Sequence, residues 1–295
     1  MWREGYVPGG ETRFWVRALG HGDDLAVLLL GWPEDGSCWR RVAPLLAEAG
    51  YRVACPDLKG FGKSDAPKKG YEPEILGDEI SQLIKNLHVK KAVLVGHDWG
   101  GAVALATAFR HPGRVRSLVT ISSPYRQIDL KKSWHIPAMN LPVLPELAFR
   151  LAPRKLVATT LSYAAVVQEP FTDDVVDAYT EAITASPRAW LSYYRTLSRQ
   201  AVRDRVVRQV QRRVGMLPTP NEPNRLRVPA LVIWGEDDPA TPHSLAPQVA
   251  RDLEGELVSI SGVGHFVPEE DPLAVARAIV RHASEVPGSS ESVGA

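Results

Sequence analysis

The segment AVLVGHDWGGAVALA, residues 92–106, runs four apolar residues into a glycine, a polar tip and a glycine pair, and helix-forming sequence follows at once. This pattern belongs to a sharp strand-to-helix turn that exposes a nucleophile at its tip. The tip here is Asp98, between Gly96 and Gly100. A serine that attacks a saturated carbon forms an ether, which neither water nor a histidine base readily cleaves. An aspartate forms an ester instead, and water can attack its carbonyl carbon. A carboxylate at this position therefore points to sp3 electrophiles: strained epoxides or carbon–halogen bonds.

Ester hydrolysis needs a base and an acid to orient it, and with a nucleophile on such a turn these arrive later along the chain, acid first and histidine second. WGEDDPATP places Asp238 just beyond the apolar stretch ALVIW, with Asp237 as a neighbour that spacing alone leaves open. GVGHFVPEEDP places His265 in the loop after the next apolar stretch. The oxyanion of the second step needs N–H donors. The peptide N–H of Trp99 is one, and the early loop LLLGWPED offers the N–H of Trp32 as the other, with Pro33 fixing the turn. Singly, these residues have ordinary structural uses: Asp98 as a helix N-cap, His265 as a loop histidine, Asp237 and Asp238 as turn formers. Their joint order and loop context favour a triad of Asp98, Asp238 and His265.

These side chains must be carried by alternating strands and helices. Residues 12–18 read as a strand, DLAVLLLGW (24–32) as a continuously buried one, and YRVACPD as a short third. EILGDEISQLIKNL carries Ile75, Ile80, Leu83, Ile84 and Leu87 at helical spacing, after which KAVLVGHD, GGAVALATAFRH and VRSLVTISSP read as strand, helix and strand. VPALVIWGEDD and GELVSISGVGHF restore strand character late in the chain, and DPLAVARAIVRHA closes it with a helix. The expected fold is an α/β, doubly wound, mainly parallel sheet, with a core of residues 1–124 and 223–286. Residues 125–222 are proline-punctuated and helix-leaning, and read as an inserted helical cap; residues 287–295 read as a disordered tail. The arginine-rich tract Arg195–Arg213 places Leu197, Ala201, Val202, Val206, Val210 and Val214 near one helical face, which favours a solvated cap helix over a site for an acidic partner.

Of the 295 residues, 44% are hydrophobic and 23% charged; 35 Lys and Arg against 34 Asp and Glu leave a formal net charge of +1. No global field attracts nucleic acid or an anionic membrane. The apolar runs are too short to span a bilayer and the N-terminus lacks a signal-peptide segment, so a cytoplasmic protein is expected. Cys38 and Cys55 read as reduced structural thiols, and the eight histidines show no ligand-like clustering, so neither a metal nor another cofactor is expected.

The two candidate electrophiles make different demands. A halide leaves as a stable anion and calls for donors such as indole N–H groups. Epoxide opening creates an alkoxide that must be protonated, a task for a tyrosine, whose reference pKa is about 10. GHDWGG with the later Asp238 and His265 resembles the epoxide hydrolases of the α/β-hydrolase fold, and the likeness spans all but about the first and last ten residues. The resemblance implies two ring-opening tyrosines in the cap: Tyr163 in LSYAAVVQEP and Tyr194 in WLSYYRTL, with Tyr193 as the neighbour left open. It implies a small-molecule epoxide and water as reaction partners and a vicinal diol as product; oligomeric state stays open, a homodimer among the options. One departure is Leu30, where the family usually has histidine before the loop glycine. Haloalkane dehalogenases resemble the chain nearly as closely, with the Trp99 indole as halide donor, but the tyrosine pair argues against them. Fluoroacetate-type dehalogenases fit worse, because their carboxylate-binding arginines map to Trp99 and Ala102. A non-catalytic ligand-binding protein on the same scaffold is the remaining alternative, opposed by the intact triad.

Overall fold

The inner strands of the sheet are the continuously apolar segments, because a parallel strand covered by helices on both faces has no polar side to show. The computed structural model describes residues 1–125, 133, 135–196, 198–199 and 225–286. Among these, β1 (Arg3–Gly9), β2 (Thr12–Leu19), β3 (Leu25–Leu29), β4 (Arg52–Pro56), β5 (Ala92–His97), β6 (Val115–Ile121), β7 (Ala230–Gly235) and β8 (Glu256–Ile260) form one sheet in the order β1-β2-β4-β3-β5-β6-β7-β8. Every residue of β3, β5 and β7 is buried. The pairs from β4 through β8 are parallel, whereas β1 and β2 join as an antiparallel edge.

That edge extends the sheet beyond the sequence reading, which began it at residue 12. The segment REGYVPG of β1 is half polar and pairs on one side only, from Arg3 opposite Ala18 to Gly9 opposite Thr12, so it lacks the apolar run that marks the inner strands. A second difference concerns α2 (Pro73–Asn86). It buries Leu76, Ile80, Leu83 and Ile84, while Ile75 is exposed. Leu76 stands four residues before Ile80 and shares its face, whereas Ile75 stands five before it and falls off that face.

The remaining core helices are α1 (Val42–Glu48), α3 (Trp99–Arg110), α9 (Ala246–Leu253), the short α10 (Val267–Glu270) and α11 (Pro272–Ser284). Contacts between α2 and α3, and between α1 and α11, cover the sheet. Between β6 and β7 the described residues form helices only: α4 (His135–Met139), α5 (Leu144–Leu151), α6 (Pro153–Ala164), α7 (Asp173–Thr184) and α8 (residues 187–196). An aromatic cluster joins this cap to the core, with Trp32 5.7 Å from Phe149 and 5.5 Å from Trp190 between ring centroids. The arginine-rich tract from residue 200 onward, the cap's downstream boundary at 222 and the tail 287–295 lie outside the described residues.

The chain leaves β4 at one side of β3 and re-enters the sheet with β5 at the other, in register from Ala26 opposite Val93 to Leu29 opposite Gly96. Strand order reverses there, and the carboxyl ends of strands at such a reversal form a crevice. The early loop and the Asp98 turn both open into it.

Candidate active site

Asp98 has φ +46° and ψ −114°, a conformation that a residue with a side chain adopts only under constraint. The constraint is local. Its N–H donates to the Ile121 carbonyl at 3.1 Å, and its own carbonyl accepts from Gly101 N–H at 3.0 Å and Ser123 Oγ at 2.9 Å. The flanking glycines let three backbones meet: a Cβ on Gly96 would lie 2.2 Å from the Gly100 carbonyl oxygen, and one on Gly100 2.3 Å from that of Leu29. The carboxylate so presented accepts the Trp32 N–H at 3.0 Å on Oδ2. The early loop and the nucleophile turn are thus in direct contact, and Trp99 opens α3 beside them.

The loop is held without the family's usual histidine. Leu30 occupies that position fully buried, and Glu34 supplies the polar anchor: its Oε2 accepts Gly31 N–H at 2.9 Å and meets His97 Nδ1 at 3.0 Å. The other ring nitrogen of His97 lies 2.9 Å from the carbonyl oxygen of His265, which can only accept, so Nε2 carries a proton. Burial resists a charge on Glu34, but the facing His97 and the Gly31 N–H hold its carboxyl below the ordinary range. The Trp32–Pro33 bond is cis. Glu34 and His97 escaped the sequence reading; they stand 63 residues apart, and only strand pairing of β3 with β5 joins them.

His265 Nδ1 meets Asp238 Oδ2 at 2.9 Å, while Asp237 is exposed, so geometry chooses between the two aspartates. Asp238 is buried and saturated: Oδ1 accepts the N–H groups of Ala240 and Thr241, each at 2.8 Å, and Oδ2 the Thr241 hydroxyl at 2.6 Å. Burial disfavours its charge, but His265 and Thr241 outweigh that and keep its pKa below the usual carboxylate value. Burial likewise disfavours a charged His265; the facing Asp238, then Asp98 and Glu34, overcome it and push the imidazole up to about 9. In the free protein His265 is therefore cationic near neutrality.

Over this floor lies a cavity of about 450 Å³, whose wall includes Asp98, His265, Trp32, Phe149, Tyr163, Tyr194 and His135. Tyr194 is buried, and burial together with the nearby Asp98 charge holds its hydroxyl protonated far above the ordinary range. Tyr193 does not line the cavity; its hydroxyl donates to the Lys59 carbonyl at 2.9 Å, in a buried cluster with Phe61 and Tyr71. Tyr163 lines the cavity at its rim, with 55% of its surface exposed. His135, which the sequence reading did not single out, sits deeper. Its ring is edge-on to Tyr194 at 6.5 Å; burial lowers its pKa, and the charges it feels are Asp98, His265 and Asp238. A lone histidine in a helical cap carries no signal by which sequence could have found it.

A family model described as alpha/beta hydrolase fold matches residues 26–272. An AB hydrolase superfamily protein of Bacillus subtilis, YfhM, is 30% identical over 286 residues, covering 90% of this chain and 93% of the relative. Epoxide hydrolase 3 of Xenopus tropicalis is 27% identical, covering 93% of this chain and 72% of the relative. Among solved structures, that of Cfl2 from Burkholderia cenocepacia superposes with a TM-score of 0.77 at 27% identity, covering 94% of each chain.

Proposed function

We propose that this chain, which belongs to the α/β-hydrolase fold family, hydrolyses epoxides to vicinal diols through an ester on Asp98. The observation that carries this reading is the pairing of a carboxylate at the tip of a strained turn with a buried tyrosine hydroxyl, Tyr194, beside it in one cavity. Similarity to epoxide hydrolase 3 of Xenopus tropicalis supports it.

In the first half-reaction an Asp98 oxygen attacks an oxirane carbon, the ring C–O bond breaks, and the alkoxide takes the proton of Tyr194, which solvent later restores. The result is a neutral hydroxyalkyl ester. Ester formation removes one of the anions that hold His265 cationic, so its pKa falls and the imidazolium gives up its proton to solvent, which frees the imidazole to act as a base. It then takes a proton from water, and the hydroxide adds to the ester carbonyl. The oxyanion is received by the N–H groups of Trp32 and Trp99. Collapse breaks the acyl C–O bond and the His265 proton passes to the leaving alkoxide; the diol departs, and the Asp98 carboxylic acid so formed loses its proton to solvent, which balances the one restored to Tyr194 and regenerates the carboxylate.

The second cap donor was expected at Tyr163. Burial favours His135 for that role: it faces Tyr194 and feels the Asp98 charge, whereas Tyr163 is half in solvent at the rim. We assign His135 and Tyr194 to the epoxide oxygen, and Tyr163 to the part of the substrate nearer the entrance. The haloalkane alternative needs the Trp99 indole free for halide. That ring packs edge-on against Tyr194 at 4.9 Å and Tyr193 at 5.5 Å.

The test is intact-mass analysis of a His265→Gln variant after exposure to panels of epoxides and haloalkanes. An epoxide adds its full mass to Asp98; a haloalkane adds the alkyl group without halogen. Adducts from haloalkanes alone, or none at all, refute the proposal.

A further inference from the structure

His265 works in only one of the two proposed half-reactions, so any residue that aims it has a kinetic signature of its own. The short helix α10 that follows it ends in two adjacent carboxylates, Glu269 and Glu270, which the mechanism leaves unused. Glu269 is buried against Arg40, at 2.7 Å, and Tyr179 of α7. The Glu270 carboxylate meets backbone. Its Oε1 accepts the N–H of Phe266 at 3.0 Å, and its Oε2 those of Gly264 at 3.0 Å, Val166 at 2.8 Å and Val167 at 2.9 Å.

Gly264 and Phe266 are the residues on either side of His265. The N–H between them, that of His265, donates to the carbonyl of Ala164, the last residue of α6, at 2.8 Å. Three successive N–H groups are therefore held by two acceptors. One belongs to the cap, and the other simultaneously grips the cap two residues further on. The segments are in backbone contact, since a Cβ on Gly264 would stand 2.4 Å from the Ala164 oxygen. An ionised carboxylate suits four converging donors because it offers only lone pairs.

We infer that Glu270 is a positioning residue that couples the seating of the cap to the aim of His265, an inference that rests on the ester mechanism proposed above. His97 Nε2 holds the His265 carbonyl from the core side at 2.9 Å, but among the described residues the three N–H groups have no acceptors other than Glu270 and Ala164, so the loop reaches its working geometry when Ala164–Val167 is docked and the cavity is closed over Asp98. Water attack then begins in a covered site.

Glu270→Gln keeps the shape but turns an amide NH2 toward backbone N–H groups. Alkylation of Asp98 does not use His265 and should stay within about threefold of the wild-type rate, while ester hydrolysis should fall by about 10²-fold, the usual cost of a small misplacement of a catalytic group. Single-turnover mixing with styrene oxide, or whichever epoxide alkylates His265→Gln fastest, gives the first rate. Intact mass during steady turnover gives the ester fraction, expected to rise until most of the enzyme is alkylated. Equal losses in both steps, or no loss in either, overturn the inference. Hydrogen exchange on the wild type tests it without substitution: the amides of residues 166–167 and 264–266 should exchange together, and rates more than tenfold apart would overturn it. Absence of any adduct on His265→Gln would instead refute the ester mechanism, which keeps the two failures distinct.

Discussion

The Trp32 N–H stands 3.0 Å from Asp98 Oδ2, so the donor proposed for the oxyanion already rests on the nucleophile before any substrate arrives. The Asp98 carboxylate reaches His265 as well, whose pKa is raised to about 9 by the facing Asp238 first and then by Asp98 and Glu34.

Replacing Asp98 by asparagine preserves the Trp32 contact, because an amide oxygen still accepts. It should abolish adduct formation, lower turnover by about 10⁴-fold or more, and lower the His265 pKa below its wild-type value. Imidazole NMR titration reads the last effect; an unchanged value would contradict the proposed release of the base by esterification. The stability linkage has a definite sign. A pKa raised from 6.5 to about 9 contributes stability that is complete below pH 6.5 and is lost as pH rises through about 9. Denaturant midpoints should fall across that window in the wild type, and less so in Asp98→Asn.

The two aspartates after β7 should separate sharply. Asp238→Asn removes the charge that orients and stabilises the His265 imidazolium, and should cost about 10⁴-fold in turnover. Asp237→Asn touches an exposed side chain and should leave turnover near wild type. Equal effects on diol formation would mean that the wrong carboxylate has been paired with His265.

Among the cap residues, Tyr194→Phe should slow alkylation by epoxides about 10²–10⁴-fold, the usual range for a lost general acid. His135→Phe should also slow alkylation, and Tyr163→Phe should mainly change KM. Tyr193→Phe should leave the alkylation rate alone and cost about 1 kcal/mol of stability for its bond to the Lys59 carbonyl. Stopped-flow alkylation rates decide the order; a Tyr163 effect larger than that of His135 would return the second donor role to Tyr163.

Glu34→Ala strips the buried partner from His97 and the acceptor from Gly31, and should destabilise the fold by about 3–5 kcal/mol. Urea unfolding measures it. A loss below about 1 kcal/mol would show that the early loop is held by other means.

Sequence by itself determined the strand-to-helix turn at Asp98, the later acid and histidine, and the inner strands of the sheet, because each is written in contiguous residues: glycines where backbones touch, apolar runs where both faces are covered. It left β1 unseen, since an edge strand needs no apolar run, and it put Ile75 on the apolar face of α2, where Leu76, four residues before Ile80, is the buried one. Sequence favoured Asp238 over Asp237 and Tyr194 over Tyr193, and tertiary structure adds that Asp238 meets His265 and Tyr194 lines the cavity. Neighbouring residues differ in what they face: Asp237 is exposed, and Tyr193, as buried as Tyr194, meets the Lys59 carbonyl and not the cavity. The same holds for Glu34 with His97, for His135 beside Tyr194, and for Glu270 on the cap: their partners are dozens to more than a hundred residues away, and only the packed sheet and its seated cap bring the charges and donors within reach of one another.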